Sequence, residues 1–132
     1  MPALDTNVLV RFLVRDDPAQ HAATVRLMAS VSETESLFVP LSVALELEWV
    51  LRSRYAVGKE AVIVTFVRLL ETREILFQDE WSVERALSLY GEGTADFADC
   101  LHLASIVSHE NAPMITFDRK AARLPDVTLL DT

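Results

Sequence analysis

The chain has 132 residues, 51% hydrophobic and 24% charged, with a formal net charge of −8. That is ordinary globular composition, enough for one domain with a real core, and it excludes a disordered segment. The acidic balance argues against a generic nucleic-acid binder held by bulk positive charge, and the single Cys100 excludes an internal disulfide.

The elements follow in chain order. "LDTNVLVRFL" at 4–13 reads as a very short strand stopping at Asp5, then a helix. In that helix Val8, Leu9, Phe12 and Leu13 share a face, and it closes near Arg15. "DDPAQHAATVRLMASV" is predicted helical, with Asp17 as N-cap and Pro18 in the first turn. "SLFVP" is a strand, "LSVALELEWVLRSRY" an apolar helix, and "KEAVIVTFVRLLET" a helix despite its β-branched residues. "EILFQ" is a strand, and "EWSVERALSLYGEG" and "DFADCLHLASIVSHE" are helices. "APMITFD" is a strand, "RKAARL" a helical turn or two, and "VTLLD" a last strand. No repeat, linker or low-complexity tract divides residues 1–132, so a single domain is expected. No apolar run is long enough for a membrane span, and the N-terminus lacks a signal-peptide layout. A reduced cytoplasmic setting is therefore expected.

Short strands alternating with helices argue for a parallel sheet wrapped by helices. In such sheets functional groups gather where strand gives way to helix. Asp5 and Asp118 both stand at such an edge, and each is equally readable as a helix cap. Asp96 and Asp99 lie three apart, which suits a cap followed by an acid in the first turn, with Asp96 the cap. In "SVALELEWVLR" two glutamates compete. Glu48 has Arg52 four residues on, a pairing typical of a solvated face. Glu46 has Val43, Trp49 and Val50 around it, so a carboxylate there needs compensation, and the choice falls on Glu46. If these carboxylates converge, their repulsion calls for a divalent cation, and all-oxygen donors favour Mg²⁺ or Mn²⁺ over zinc. Metal-activated water in an acidic cluster can attack a phosphodiester.

Four stretches carry a family resemblance: "LDTNVLVRFL", "LELEWVLRSRY", "ADFADCLHLA" and "TFDRKAARL". Together, in this order, they resemble a PIN-domain ribonuclease, specifically a VapC-type toxin of a type II toxin–antitoxin pair. The resemblance implies a three-layer α/β/α, Rossmann-like fold with a mainly parallel sheet of about five short strands. It also implies a Mg²⁺- or Mn²⁺-dependent endoribonuclease, inhibited by a small antitoxin protein and usually dimeric. Its catalytic and metal-binding acids fall on Asp5, Glu46, Asp99 and Asp118, with Asp96 a candidate for a second cation site. Asn7 and Thr116 match positions that orient ligands or metal-bound water.

Smaller signals are ambiguous. Arg11 and Arg15 share a predicted helical face and could form a phosphate-binding rim, or be ordinary solvated charge. His102 reads as a surface histidine, with a hydrogen bond to Asp99 as its functional alternative. Trp49 and Trp81 read as core or interface residues. Two other function classes stand beside the nuclease: a Mg²⁺-binding receiver-like signalling module, and a catalytically inert binding protein with the same fold. The first-strand motif Asp-Thr-Asn and the acid in "MITFDRK" speak against the receiver.

Overall fold

The apolar runs that form strands are short, and each of the four paired strands is three residues. In the computed structural model, which describes residues 1–132, the first extended segment makes a single parallel bridge, Ala3 with Phe38. The Leu4 N–H donates to the Phe38 carbonyl and the Phe38 N–H to that of Pro2, both at 2.8 Å. Asp5 then caps the next helix, so the extended segment ends where the acid begins. The chain forms two compact units, Met1–Gln78 and Asp79–Thr132.

The first unit holds α1 (Thr6–Leu13), α2 (Pro18–Ser30), β1 (Leu37–Val39), α3 (Leu41–Arg54), α4 (Lys59–Leu70) and β2 (Ile75–Phe77). Asp17 caps α2 by accepting from the Gln20 N–H at 3.1 Å, with Pro18 at the first position. Residue 40 is proline and cannot cap α3 with a side chain. The Leu41 N–H instead donates to the Gln78 side-chain oxygen at 2.9 Å, just beyond β2. Strands β1 and β2 pair in parallel, Leu37 with Ile75 and Val39 with Phe77. Parallel pairing needs a long crossover, which α3 and α4 supply. The β-branched residues of α4 do not prevent its helix, because Val62, Phe66 and Leu69 bury one stripe. Phe66 also meets Phe77 with ring centroids 6.2 Å apart.

The second unit holds α5 (Glu80–Glu92), α6 (Phe97–Ser108), β3 (Met114–Thr116), a single 3₁₀ turn (Ala121–Arg123) and β4 (Val127–Leu129). Asp79 takes a left-handed conformation, φ 55°, to cap α5 through the Ser82 N–H at 3.2 Å. Its other oxygen accepts from the hydroxyls of Ser82 and Ser108, tying the start of α5 to the end of α6. The two helices bury Val83, Ala86, Leu87, Cys100 and Leu103, and Tyr90 stands edge-on to Phe97 at 5.5 Å. Strands β3 and β4 also pair in parallel, Met114 with Val127 and Thr116 with Leu129.

Six helices and wholly parallel pairing define the α/β class that the sequence predicts. In place of the expected sheet of about five strands there are two separate parallel pairs, β1 with β2 and β3 with β4, and one isolated bridge at Ala3. Two further expectations change. Helix α1 stops at Leu13, because Val14 is extended, so Arg15 lies outside the helix and shares no helical face with Arg11. Trp49 and Trp81 are exposed rather than in the core, and Trp49 has the Arg54 guanidinium 5.9 Å from its ring centre. No helix is long and apolar enough to cross a membrane.

Phe66 is fully buried, whereas Val64 on the same helix is exposed. Phe66→Ala is expected to cost about 3–5 kcal/mol and Val64→Ala about 0.5 kcal/mol or less, read from urea unfolding midpoints.

Candidate metal centre

Helix α6 begins because the chain reaches "ADFADC", a cap-competent acid followed by an apolar stripe. Asp96 occupies the N-cap position with extended geometry, ψ 151°, yet its side chain makes no capping hydrogen bond. The cap reading of Asp96 is thus right for position and wrong for the side chain. Asp99 sits one turn on. Phe97, Cys100, Leu101, Leu103 and Ala104 bury the rest of the helix and fix where both acids stand.

The third acid arrives from β3. Where that strand ends, the Asp118 N–H donates to Thr116 Oγ1 at 3.0 Å. Asp118 Oδ1 accepts from the N–H groups of Lys120 (2.8 Å) and Ala121 (3.3 Å). One carboxylate oxygen is therefore spent on shaping the turn, which leaves Oδ2 for a ligand. The capping and ligand readings of Asp118 do not compete, because they use different oxygens. Thr116 acts on the backbone of Asp118, which makes it the residue that sets this loop.

Ligand oxygens of Asp96, Asp99 and Asp118 all lie within 4.8 Å of one another. Asp96 and Asp118 are exposed and Asp99 is half-buried. Desolvation pushes the Asp99 carboxyl above the usual aspartate range, and the charges of Asp118 and Asp96 push it further; His102 pulls the other way. The first turn of a helix normally favours a negative charge. Here burial and two like charges outweigh it.

These donors suit a hard divalent cation. Opposite oxygens around Mg²⁺ stand about 4.2 Å apart, twice its bond length of about 2.1 Å, so small carboxylate rotations would close the observed spread. Three carboxylates without Cys or His favour Mg²⁺ or Mn²⁺ over zinc.

Asp5, Asn7 and Glu46 belong to the first unit. Asp5 is exposed and caps α1, its Oδ1 accepting from the Val8 N–H at 3.1 Å. Asn7 is exposed in the first turn of α1. The burial expected of Glu46 and Glu48 is reversed in α3. Glu48 is 3% exposed and accepts from Arg52 Nε at 2.8 Å, while Glu46 is exposed. The buried stripe of α3 runs through Ala44, Leu47, Glu48 and Leu51. Trp49, counted as a buried neighbour of Glu46, is itself 49% exposed. The i,i+4 pairing of Glu48 with Arg52 is correct, but it lies on the inward face. Glu46 consequently carries no desolvation burden and can accept a ligand at the surface.

Arg11 does not present a free guanidinium. Its Nε donates to Gln20 Oε1 at 2.7 Å, and its Nη1 to Asp16 Oδ1 and to the Tyr55 hydroxyl, each at 3.1 Å. Tyr55 in turn donates to Asp16 at 2.8 Å. That network holds α1, the loop after it and the end of α3 together, and it neutralises the charge a phosphate would need. Arg15 is exposed. Sequence reasoning missed this network because its partners are 5 to 44 residues away.

The PIN domain family model matches residues 3–127, across both units, and the chain belongs to the PIN domain family. That match displaces the receiver-like alternative. Among solved structures, the chain is similar to the Mycobacterium tuberculosis toxin VapC20, described as cleaving the sarcin–ricin loop. The two are 18% identical over 96% of this chain and 97% of that one, with a TM-score of 0.45. It is also similar to a chain of a toxin–antitoxin complex from Klebsiella pneumoniae, at 22% identity over 97% and 96% of the two chains and a TM-score of 0.36. No curated protein matches the chain.

Removing one of three crowded charges should relieve the metal-free protein. An aspartate whose folded pKa is raised takes up its proton more readily when folded, so its stabilising effect at low pH is lost as pH rises through that value. Asp99→Asn is therefore expected to raise the melting temperature at pH 7 in EDTA. The gain should shrink as pH falls towards the range where wild-type Asp99 is protonated, and saturating Mn²⁺ should reverse the order. Thermal melts across pH, with and without Mn²⁺, check all three points.

Proposed function

We propose that this PIN-domain protein is a Mg²⁺- or Mn²⁺-dependent endoribonuclease and the toxin of a toxin–antitoxin pair. The observation that carries the nuclease reading is the convergence of Asp96, Asp99 and Asp118 within 4.8 Å, at a helix start and a strand end. Family membership supports it independently. The toxin role, a small antitoxin partner and a homodimer come with the resemblance of the four motifs.

In this reading Asp99 and Asp118 hold the cation, and Asp96 adds a third carboxylate or serves a second ion. Asp5 and Glu46 match the remaining acids of the family motif, and their catalytic role comes with that resemblance alone. A bound Mg²⁺ or Mn²⁺ would stabilise charge on the phosphoryl oxygens and lower the pKa of a coordinated water. The protein's own part is positioning. Thr116 and the Lys120 and Ala121 amides fix Asp118 Oδ1, so that Oδ2 keeps one direction. The Val8 amide does the same for Asp5, and Asn7 stands beside it to orient a water or a ligand. In-line attack of water would leave a 3′-hydroxyl and a 5′-phosphate. A single-stranded or looped RNA suits such a site, which reads phosphate geometry and leaves sequence to the surrounding groups.

The test is cleavage of total cellular RNA by purified protein, with mapping of the new 5′ ends. Wild type with Mn²⁺ should cut and leave 5′-phosphates, and EDTA should stop it. Asp5→Asn and Asp99→Asn should each lose about 10²-fold or more, since even outer partners of metal ligands cost 10–100-fold. Thr116→Val should lose about tenfold, mainly through weaker Mn²⁺ affinity. An inert wild type at saturating Mn²⁺ would leave the non-catalytic binding protein as the better reading.

A further inference from the structure

The β3–β4 pair of the second unit shows solvent an apolar patch: Ile115, Phe117 and Leu130 are 56%, 65% and 49% exposed. Beside it lies a cavity of about 370 Å³ walled by Phe117, Arg119, Leu129, Leu130, Asp131 and Thr132. Drug-sized ligand sites begin at roughly 300 Å³, so a nucleoside is of the size this cavity takes.

Its place along the chain ties it to the metal centre of the same unit. Phe117 and Arg119 are the two chain neighbours of Asp118, and consecutive Cα atoms stand about 3.8 Å apart. Phe117, Asp118 and Arg119 are all exposed. A strand laid over this turn therefore meets a ring, an acid and a guanidinium in succession. The bonds that Asp118 makes with Thr116, Lys120 and Ala121 hold the turn in one shape, so both neighbours project from a fixed base.

Charge selects the occupant. Arg11, Arg52 and Arg73 are each paired with an acid, Asp16, Glu48 and Glu74. Arg119 forms no such pair, so its donors stay free for the fork-like contact that guanidinium makes with phosphate. A purely apolar partner would cover Phe117 and leave that cation unused. A nucleotide engages both, because a base has a π-face and its phosphate a charge.

We propose that this cavity receives an unpaired nucleotide of the RNA strand cut at the metal centre, with its base stacked on Phe117 and a phosphate held by Arg119. This rests on the nuclease reading. Asp131, in the same wall, can only accept as a carboxylate, which suits a ribose hydroxyl and not a second phosphate. Phe117 and Arg119 are then substrate-positioning residues.

The test is binding of a short, end-labelled single-stranded RNA in EDTA, followed by fluorescence anisotropy over a range of salt. Phe117→Leu should weaken binding about 5- to 100-fold, the worth of one base stacked on an aromatic ring, and leave the salt dependence alone. Phe117→Trp should keep wild-type affinity. Arg119→Gln should weaken binding and flatten the plot of log K against log salt by about 0.7, one phosphate contact on a single strand. Unchanged affinity in Phe117→Leu, equal losses in Phe117→Leu and Phe117→Trp, or an unchanged salt slope in Arg119→Gln would each overturn the assignment. Mn²⁺-dependent cleavage of the same RNA separates this inference from the reading beneath it. Both Phe117→Leu and Arg119→Gln should raise KM and keep kcat, the mark of lost uniform binding. Variants that cut at the wild-type KM overturn the cavity and leave the nuclease standing. A wild type that binds RNA through Phe117 and Arg119 yet cuts nothing sinks the nuclease and keeps the cavity as an RNA site.

Discussion

Mutual repulsion among three carboxylates is the constraint around which the second unit is arranged. Asp96, Asp99 and Asp118 are held close by elements whose other faces are committed elsewhere: α6 by its buried apolar stripe, the Asp118 turn by three hydrogen bonds. Their backbone positions are fixed, and of the three carboxylates Asp118 is also held through its own hydrogen bonds. The half-buried Asp99 bears most of the consequence, its proton held more tightly than usual. A structure that accepts such crowding gives up stability at that point, a pattern typical of functional sites. A doubly charged cation is the simplest agent that turns the repulsion into cohesion.

The sequence makes the element order legible because local signals and burial agree. Asp17 followed by Pro18 announces α2 and does cap it, and the short apolar runs bounded by turns are strands. Even α4, whose β-branched residues weaken its propensity, forms because Val62, Phe66 and Leu69 repeat at helical spacing. The acids at strand ends and helix starts were visible for the same reason. Their positions are local facts.

What stayed hidden depends on tertiary packing. Glu46 and Glu48 are adjacent in composition and differ only in which face of α3 meets the core. Counting Trp49 as buried tilted that choice, when Trp49 lies at the surface under Arg54. The packing of α3 reverses the burial on which the choice of Glu46 rested. Arg11 looked like a phosphate ligand because its partners, Asp16, Gln20 and Tyr55, meet it only once α1, α2 and the end of α3 are folded. Asp96 illustrates the opposite error. Its backbone is a cap, so its carboxylate was assigned to the cap too, and nothing in one dimension could show it turned away.

Gln78 has an effect that reaches back through synthesis. The first amide of α3 finds its acceptor 37 residues further along, at the end of β2, and β1 is completed by a strand that also comes late. A nascent chain stopped before that point would carry α3 without this cap and β1 paired only with the segment around Ala3. The cap of the helix that bears Glu46 and the β1–β2 pairing are therefore complete only once residues 75–78 are in place.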